Sequence, residues 1–168
     1  MLLKQYKMKI LLFILLSSTF IITTNCQDLK EVNDIEAITK VILAEGEARQ
    51  NNDFELFSGC WAHEPYILNY WAINWGCATI KGWEKLSEVF KTDHQGEPDP
   101  ELKIRRERIN IHINGNIAIS DFDLYIDNFQ GGDLESKANV TLEKLNDSWK
   151  IIYLNVIFDK SFNKPDNN

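Results

Sequence analysis

The stretch Ile109–Ile126, INIHINGNIAISDFDLYI, decides the fold. Ile109, Ile111 and Ile113 alternate with polar residues, the period of a strand covered on one side. Asn114-Gly115 is a strong hairpin signal, because glycine accepts the positive φ that tight turns demand. Ile117 to Ile126 then supplies the returning strand.

Working outward, Asn128 to Glu135, with Gly131-Gly132, reads as a second, looser turn. Ser136 to Leu145 and Trp149 to Phe158 form a last hairpin across Asn146-Asp147-Ser148. Upstream, the pattern changes to a helical period. Asn33 and Glu36 make a capping-box start, and Ile35, Ile38, Val41 and Ile42 form an apolar stripe running to about Gln50. Asn51-Asn52-Asp53 interrupts it, and Asp53 is a good N-cap for a shorter helix carrying Phe54, Phe57 and Trp61. That helix ends near His63-Glu64-Pro65, since proline disfavours a helical residue before it.

Tyr66 to Tyr70 and Ala78 to Lys81 read as short strands around a Trp-rich loop. Gly82 opens a third helix with Trp83, Leu86, Val89 and Phe90 on one face, and His94 to Pro100 is a loop. Helices segregated before a meander of strands give an α+β domain. The expected form is a cone-shaped α+β barrel, a curved, mostly antiparallel sheet wrapped on a long N-terminal helix with two further short helices.

The beginning of the chain has the anatomy of a signal peptide. Lys4, Lys7 and Lys9 precede an uncharged run from Ile10 to Ile22, too short for a comfortable membrane span. Cys26 stands where a bacterial lipoprotein carries its acylated cysteine, although Asn25 and Thr23 depart from the usual signal. Residues 1–26 are thus expected to direct export to the periplasm or cell envelope, with lipidation at Cys26 or ordinary cleavage as alternatives. A single domain is expected over 27–162, and residues 163–168 read as a disordered tail.

Cleavage after residue 26 would leave 142 residues and move the net charge from −7 to about −10. Such an acidic domain repels phosphate backbones, which argues against nucleic-acid binding. The basic cluster Arg105, Arg106 and Arg108 is interrupted by Glu107 and reads as a strand cap. Cys60 and Cys77 could pair in an oxidising compartment, closing a loop worth about 3 kcal/mol, or remain two free thiols. With His63 they are metal-ligating residue types, but no fourth ligand stands at a recognisable spacing, so no metal is expected. No cofactor motif is present.

Several stretches together resemble the nuclear transport factor 2-like superfamily, in particular its SnoaL-like branch, over about residues 32 to 160. They are Asn51-Asn52-Asp53-Phe54, Gly82-Trp83-Glu84-Lys85-Leu86, Gly115-Asn116-Ile117-Ala118, and Leu142 to Ile151. The resemblance implies a conical pocket and frequent homodimers, and no particular reaction. Enzymes of the superfamily use an Asp, sometimes with His or Tyr, inside an apolar hollow that raises its pKa.

Asp121, Asp123 and Tyr125 share one face of their strand. If that face lines the hollow, Asp123 or Asp121 is the general base and Tyr125 an oxyanion donor, with His63 assisting. If it faces solvent, the same alternation is that of an ordinary half-exposed strand. Tyr153 and Asn155 are polar groups in an apolar strand that need partners, from a ligand or from the protein. Trp61 and Trp83 sit on helical apolar stripes and read as core by default, with Trp61 also a ligand-binding candidate; Tyr70, Trp71 and Trp75 read as the rim of a pocket, and His94 and His112 as surface. The leading functional expectation is an exported binder of a small, largely apolar molecule. The alternatives are an acid–base enzyme of isomerase, dehydratase or cyclase type, and a dimeric protein-interaction module.

Overall fold

The structure is a computed structural model and describes residues 30–73, 76–129 and 132–157. The expected signal segment with Cys26, Trp75 and the expected tail 163–168 lie outside the described residues. The chain divides into two compact units, Met1–Glu36 and Ala37–Asn168. Within the first unit, residues 30–36 are helical. Asn33, read from the sequence as a cap, therefore lies inside a helix.

The second unit continues this helix, α1 (30–50), and adds α2 (Phe54–Cys60) and α3 (Trp83–Asp93). Its strands are β1 (Leu68–Ile73), β2 (Gly76–Lys81), β3 (Lys103–Asn114), β4 (Ile117–Phe129), β5 (Gly132–Leu145) and β6 (Ser148–Ile157). They form one sheet in the order β2-β1-β6-β5-β4-β3. All neighbours are antiparallel except β1 and β6, whose parallel pairing the sequence did not suggest. The sheet is open, with β2 and β3 at its edges, rather than closed into the expected barrel.

Local chemistry explains the element ends. The Asp53 side chain accepts from Leu56 N at 2.9 Å and caps α2 as expected. The β3–β4 turn is centred one residue later than the sequence suggests, on Gly115-Asn116, with φ of 65° at Gly115. Asn146 and Asp147, at φ of 48° and 61°, supply the two left-handed residues that the β5–β6 turn requires.

One face of the sheet packs against the helices. Ile38, Ile42 and Ala48 of α1, with Glu45 between the last two, are fully buried at three- and four-residue intervals. They meet Phe57 of α2, Phe90 of α3, and Phe122, Leu142 and Leu154 of the sheet. The Phe57 and Phe90 rings stack with centroids 4.0 Å apart, which joins the two short helices.

Two bulges decide which side chains share this face. On β3 the register shifts between Glu107 and Asn110, where Arg108 has φ of 51°. Arg106 consequently points inward, while Arg108 shares the outer face with Asp123. On β6 the shift opposite Thr141/Leu142 inserts Ile152. Ile151, Leu154 and Val156 are therefore buried together, and Tyr153 and Asn155 lie on the other face. Strict alternation would put Ile151 on one face with Tyr153; the bulge separates them.

Candidate functional site

Beside the packed core, a cavity of about 650 Å³ lies between α3, the end of α1 and the inner face of the sheet. That volume suits a drug-sized molecule. Leu86, Val89 and Phe90 of α3 form one wall. Trp71, Ala78 and Ile80 of β1 and β2 form a second, and Leu102, Ile104 and Ile126 close the side at β3 and β4.

Four polar residues interrupt these apolar walls: Arg49, Asn69, Asp93 and His94. Arg49 belongs to the last turn of α1. Its Nε donates to Glu45 Oε1 at 2.7 Å, and its guanidinium lies 5.0 Å from the Phe57 ring and 5.4 Å from the Trp71 ring. Its Nη2 is buried without a hydrogen-bond partner among the described residues. Asn69, only 1% exposed, likewise has a buried Oδ1 with no partner.

His94 follows α3 as its C-cap, stacks on Phe90 with centroids 4.1 Å apart, and directs Nδ1 to Phe90 O at 3.0 Å. A carbonyl can only accept, so Nδ1 carries the proton and the neutral ring offers Nε2 as an acceptor. Burial, then the positive charge of Arg49, lowers the His94 pKa, which keeps the ring neutral near pH 7. The sequence reading placed His94 on the surface. The structure makes it a wall of the cavity, because the loop folds back at the helix end.

Beneath Arg49 lies a buried charge cluster. Glu45 is fully buried and takes Arg49 on Oε1 and Arg106 on Oε2. Burial alone would raise its pKa, but Arg49 and Arg106 outweigh it and bring the value down to about 2. Arg106 also donates to Ile42 O at 2.5 Å. It crosses α1 at Gly46, where a Cβ would stand 3.1 Å from its Nε. A glycine costs helix stability, and here it makes room for a guanidinium.

The acids singled out from the sequence lie elsewhere. Ile126 of β4 lines the cavity, and Phe122 and Leu124 share its buried face. Asp121, Asp123 and Tyr125 alternate with these and face the opposite side. Asp123 is covered there by Lys137 and Arg108, and Arg108 also donates to Tyr125 Oη at 3.0 Å. Hydrogen bonding from Lys137 is the largest influence on the Asp123 pKa. With Arg108 it outweighs the effect of burial, so the pKa is lowered and not raised. Asp121 is exposed and accepts from Asn110 Nδ2 at 3.0 Å. The base-in-a-hollow arrangement expected of Asp123 or Asp121 with Tyr125 is thus not formed in this cavity.

The remaining candidates divide. Trp71 is in the cavity wall. Tyr70 pairs with Asn155 across β1 and β6 on the outer face, beside Tyr153, and Asn155 Oδ1 has no partner among the described residues. Trp61 is buried core. His63 is exposed, contacts Ser58 O at 3.0 Å and stacks on Trp83 with centroids 4.0 Å apart. Trp61 and His63 border a separate hollow of about 440 Å³. Cys60 is buried, Cys77 is exposed, and both are free thiols, so the disulfide alternative is not realised. Among the described residues no group of three or more His, Cys, Asp or Glu could hold a metal ion.

Fold and site define an α+β sheet domain with a mostly apolar, ligand-sized cavity under its helices. No family model matches the chain, and no curated protein matches it in sequence. Solved structures do match in fold. An NTF2-like protein with a cystatin-like fold from Novosphingobium aromaticivorans superposes with a TM-score of 0.68 at 17% identity, covering 82% of this chain and 90% of that one. A nuclear transport factor 2-like superfamily protein from Salmonella enterica serovar Typhimurium LT2 gives 0.62 at 17% identity, covering 79% and 96%. A protein of unknown function with a cystatin-like fold from Nostoc punctiforme gives 0.60 at 18%, covering 76% and 92%. The chain has the NTF2-like, cystatin-like α+β fold.

Sequence reasoning missed Arg49, Glu45, Asn69 and Arg106. Glu45 and Arg49 stand four apart in a helix, a spacing usual for exposed pairs. The available signal was their place on the helix: Glu45 continues the stripe of Ile38 and Ile42, with Gly46 beside it.

Proposed function

We propose that this chain is an exported domain that binds a small, largely apolar molecule in the cavity between α3 and the sheet. The observation that carries this reading is the composition of the cavity: ring and branched-chain walls around a few polar atoms without partners among the described residues. Water-filled surface clefts have no need of such walls, whereas ligand sites combine apolar area with sparse orienting groups. Titration with the neutral dye Nile red tests it. Saturable binding with a blue-shifted emission, weakened when Ala78→Trp narrows the cavity, is expected; binding unaffected by that substitution would contradict the reading.

Export rests on residues 1–26, and Cys26 is the proposed point of lipid attachment to the cell envelope. Pairing into a homodimer is supported by the outer face of the sheet, where Ile119 and Ile157 are exposed large apolar residues. An acid–base reaction would call for a carboxylic acid of raised pKa inside the cavity, and Asp123, the acid best suited from sequence, sits on the other face with its pKa lowered.

A further inference from the structure

We infer, building on the cavity-binding reading, that the occupant is an amphipathic carboxylic acid, its carboxylate against Arg49 and its apolar body along Trp71, Ile80 and Val89. Charge is the first reason. One buried carboxylate, Glu45, serves two guanidiniums, those of Arg49 and Arg106, so the cluster keeps one positive charge in excess. Excess charge away from water calls for a counter-charge.

Geometry is the second reason. Arg106 is the enclosed member, its side chain 5% exposed and bound to Ile42 O, whereas Arg49 lines the cavity. Nε of Arg49 is committed to Glu45, while Nη2 is buried and has no partner among the described residues. The Phe57 and Trp71 rings lie within cation–π distance of the guanidinium and restrain it beside the cavity, which lowers the cost of ordering it on an incoming oxygen. Asp93, the other charged wall residue, is exposed at the end of α3, where water screens it. The neutral His94 adds no competing positive charge.

The walls define the remainder of the molecule. Apolar side chains from three directions leave a body of rings or methylenes as the matching surface. Phosphate esters fit less well, because a dianion would need more donors than one guanidinium nitrogen supplies.

Isothermal titration calorimetry of the full chain with decanoate, 2-naphthoate and their neutral amides, decanamide and 2-naphthamide, tests the inference. The wild type should prefer at least one acid over its amide by about tenfold or more, as a charge-assisted hydrogen bond implies. The linear and bicyclic pairs tell which body shape is taken. Arg49→Met should remove the preference while leaving amide binding in place, and Arg49→Lys should keep part of it. Amides that bind the wild type as tightly as the acids would overturn the carboxylate inference and leave the cavity reading standing. Absence of binding by all four would overturn both. The wild-type ratio decides the matter even if Arg49→Met fails to fold.

Discussion

Glu45 of α1 and Arg106 of β3 form an ion pair sealed from solvent, with Arg49 completing the cluster at the edge of the cavity. This pair ties the long helix to the sheet and holds the guanidinium that faces the proposed ligand. Glu45→Gln should destabilise the fold by about 3–5 kcal/mol, because it leaves Arg106 buried without its counter-charge. Urea denaturation at pH 7 measures the loss.

Acid should act through the same residue. The folded-state pKa of Glu45 lies near 2, below the ordinary value of 4.5, so between these values the unfolded chain binds more protons. The contribution is fully present above about pH 5 and is lost as pH falls towards 2, a total of roughly 3 kcal/mol by linkage. Asp123, also lowered, adds in the same direction. Denaturation midpoints from pH 7 to pH 3 should fall in the wild type and fall less steeply in Glu45→Gln. Equal slopes would assign the acid sensitivity to other groups.

The outer-face acids should be dispensable for binding. Asp123→Asn removes ion pairs to two side chains that are about two-thirds exposed, Arg108 and Lys137. Pairs with such partners contribute on the order of 1 kcal/mol or less. Nile red affinity should therefore stay within about twofold in Asp123→Asn and Asp121→Asn, since a one-kcal/mol change would already be about fivefold. A large drop would connect this face to the cavity.

The two described thiols should react very differently. Cys77 is exposed, whereas burial, with a smaller contribution from Glu45, pushes the Cys60 thiol up to about 12. Brief treatment with N-ethylmaleimide at pH 7.5, followed by peptide mass mapping, should find Cys77 labelled and Cys60 labelled only after denaturation. A Cys60–Cys77 crosslinked peptide from protein isolated from its own host would contradict the free-thiol state.

Most of the fold could be read from Ile109–Ile126 and its flanks, because period-two alternation and tight-turn residues are local signals. The Asp53 cap, the α3 face and the four long strands follow from such signals. The parallel β1–β6 contact is non-local and leaves no trace in either strand. The site was less legible for a specific reason. Which strand face points inward depends on the bulges at Arg108 and Ile152, and a bulge shifts the alternation without changing composition. The bulge at Ile152 puts Tyr153 and Asn155 on the outer face, whereas the β4 acids keep strict alternation and take one of the two sides that the sequence left open. Trp71 was legible as a pocket residue from its large ring, although it lies within β1 and not in the loop beside it, and His94 was missed because a helix cap looks like any loop residue.

The cavity claim is tested most directly by native mass spectrometry of the chain purified from its own host, with the Ala78→Trp variant prepared in parallel. The wild type should carry a small organic molecule in addition to its own mass, and the variant should carry less of it. A wild type free of any adduct that also fails to bind Nile red, or an adduct retained equally by both proteins, would contradict the account.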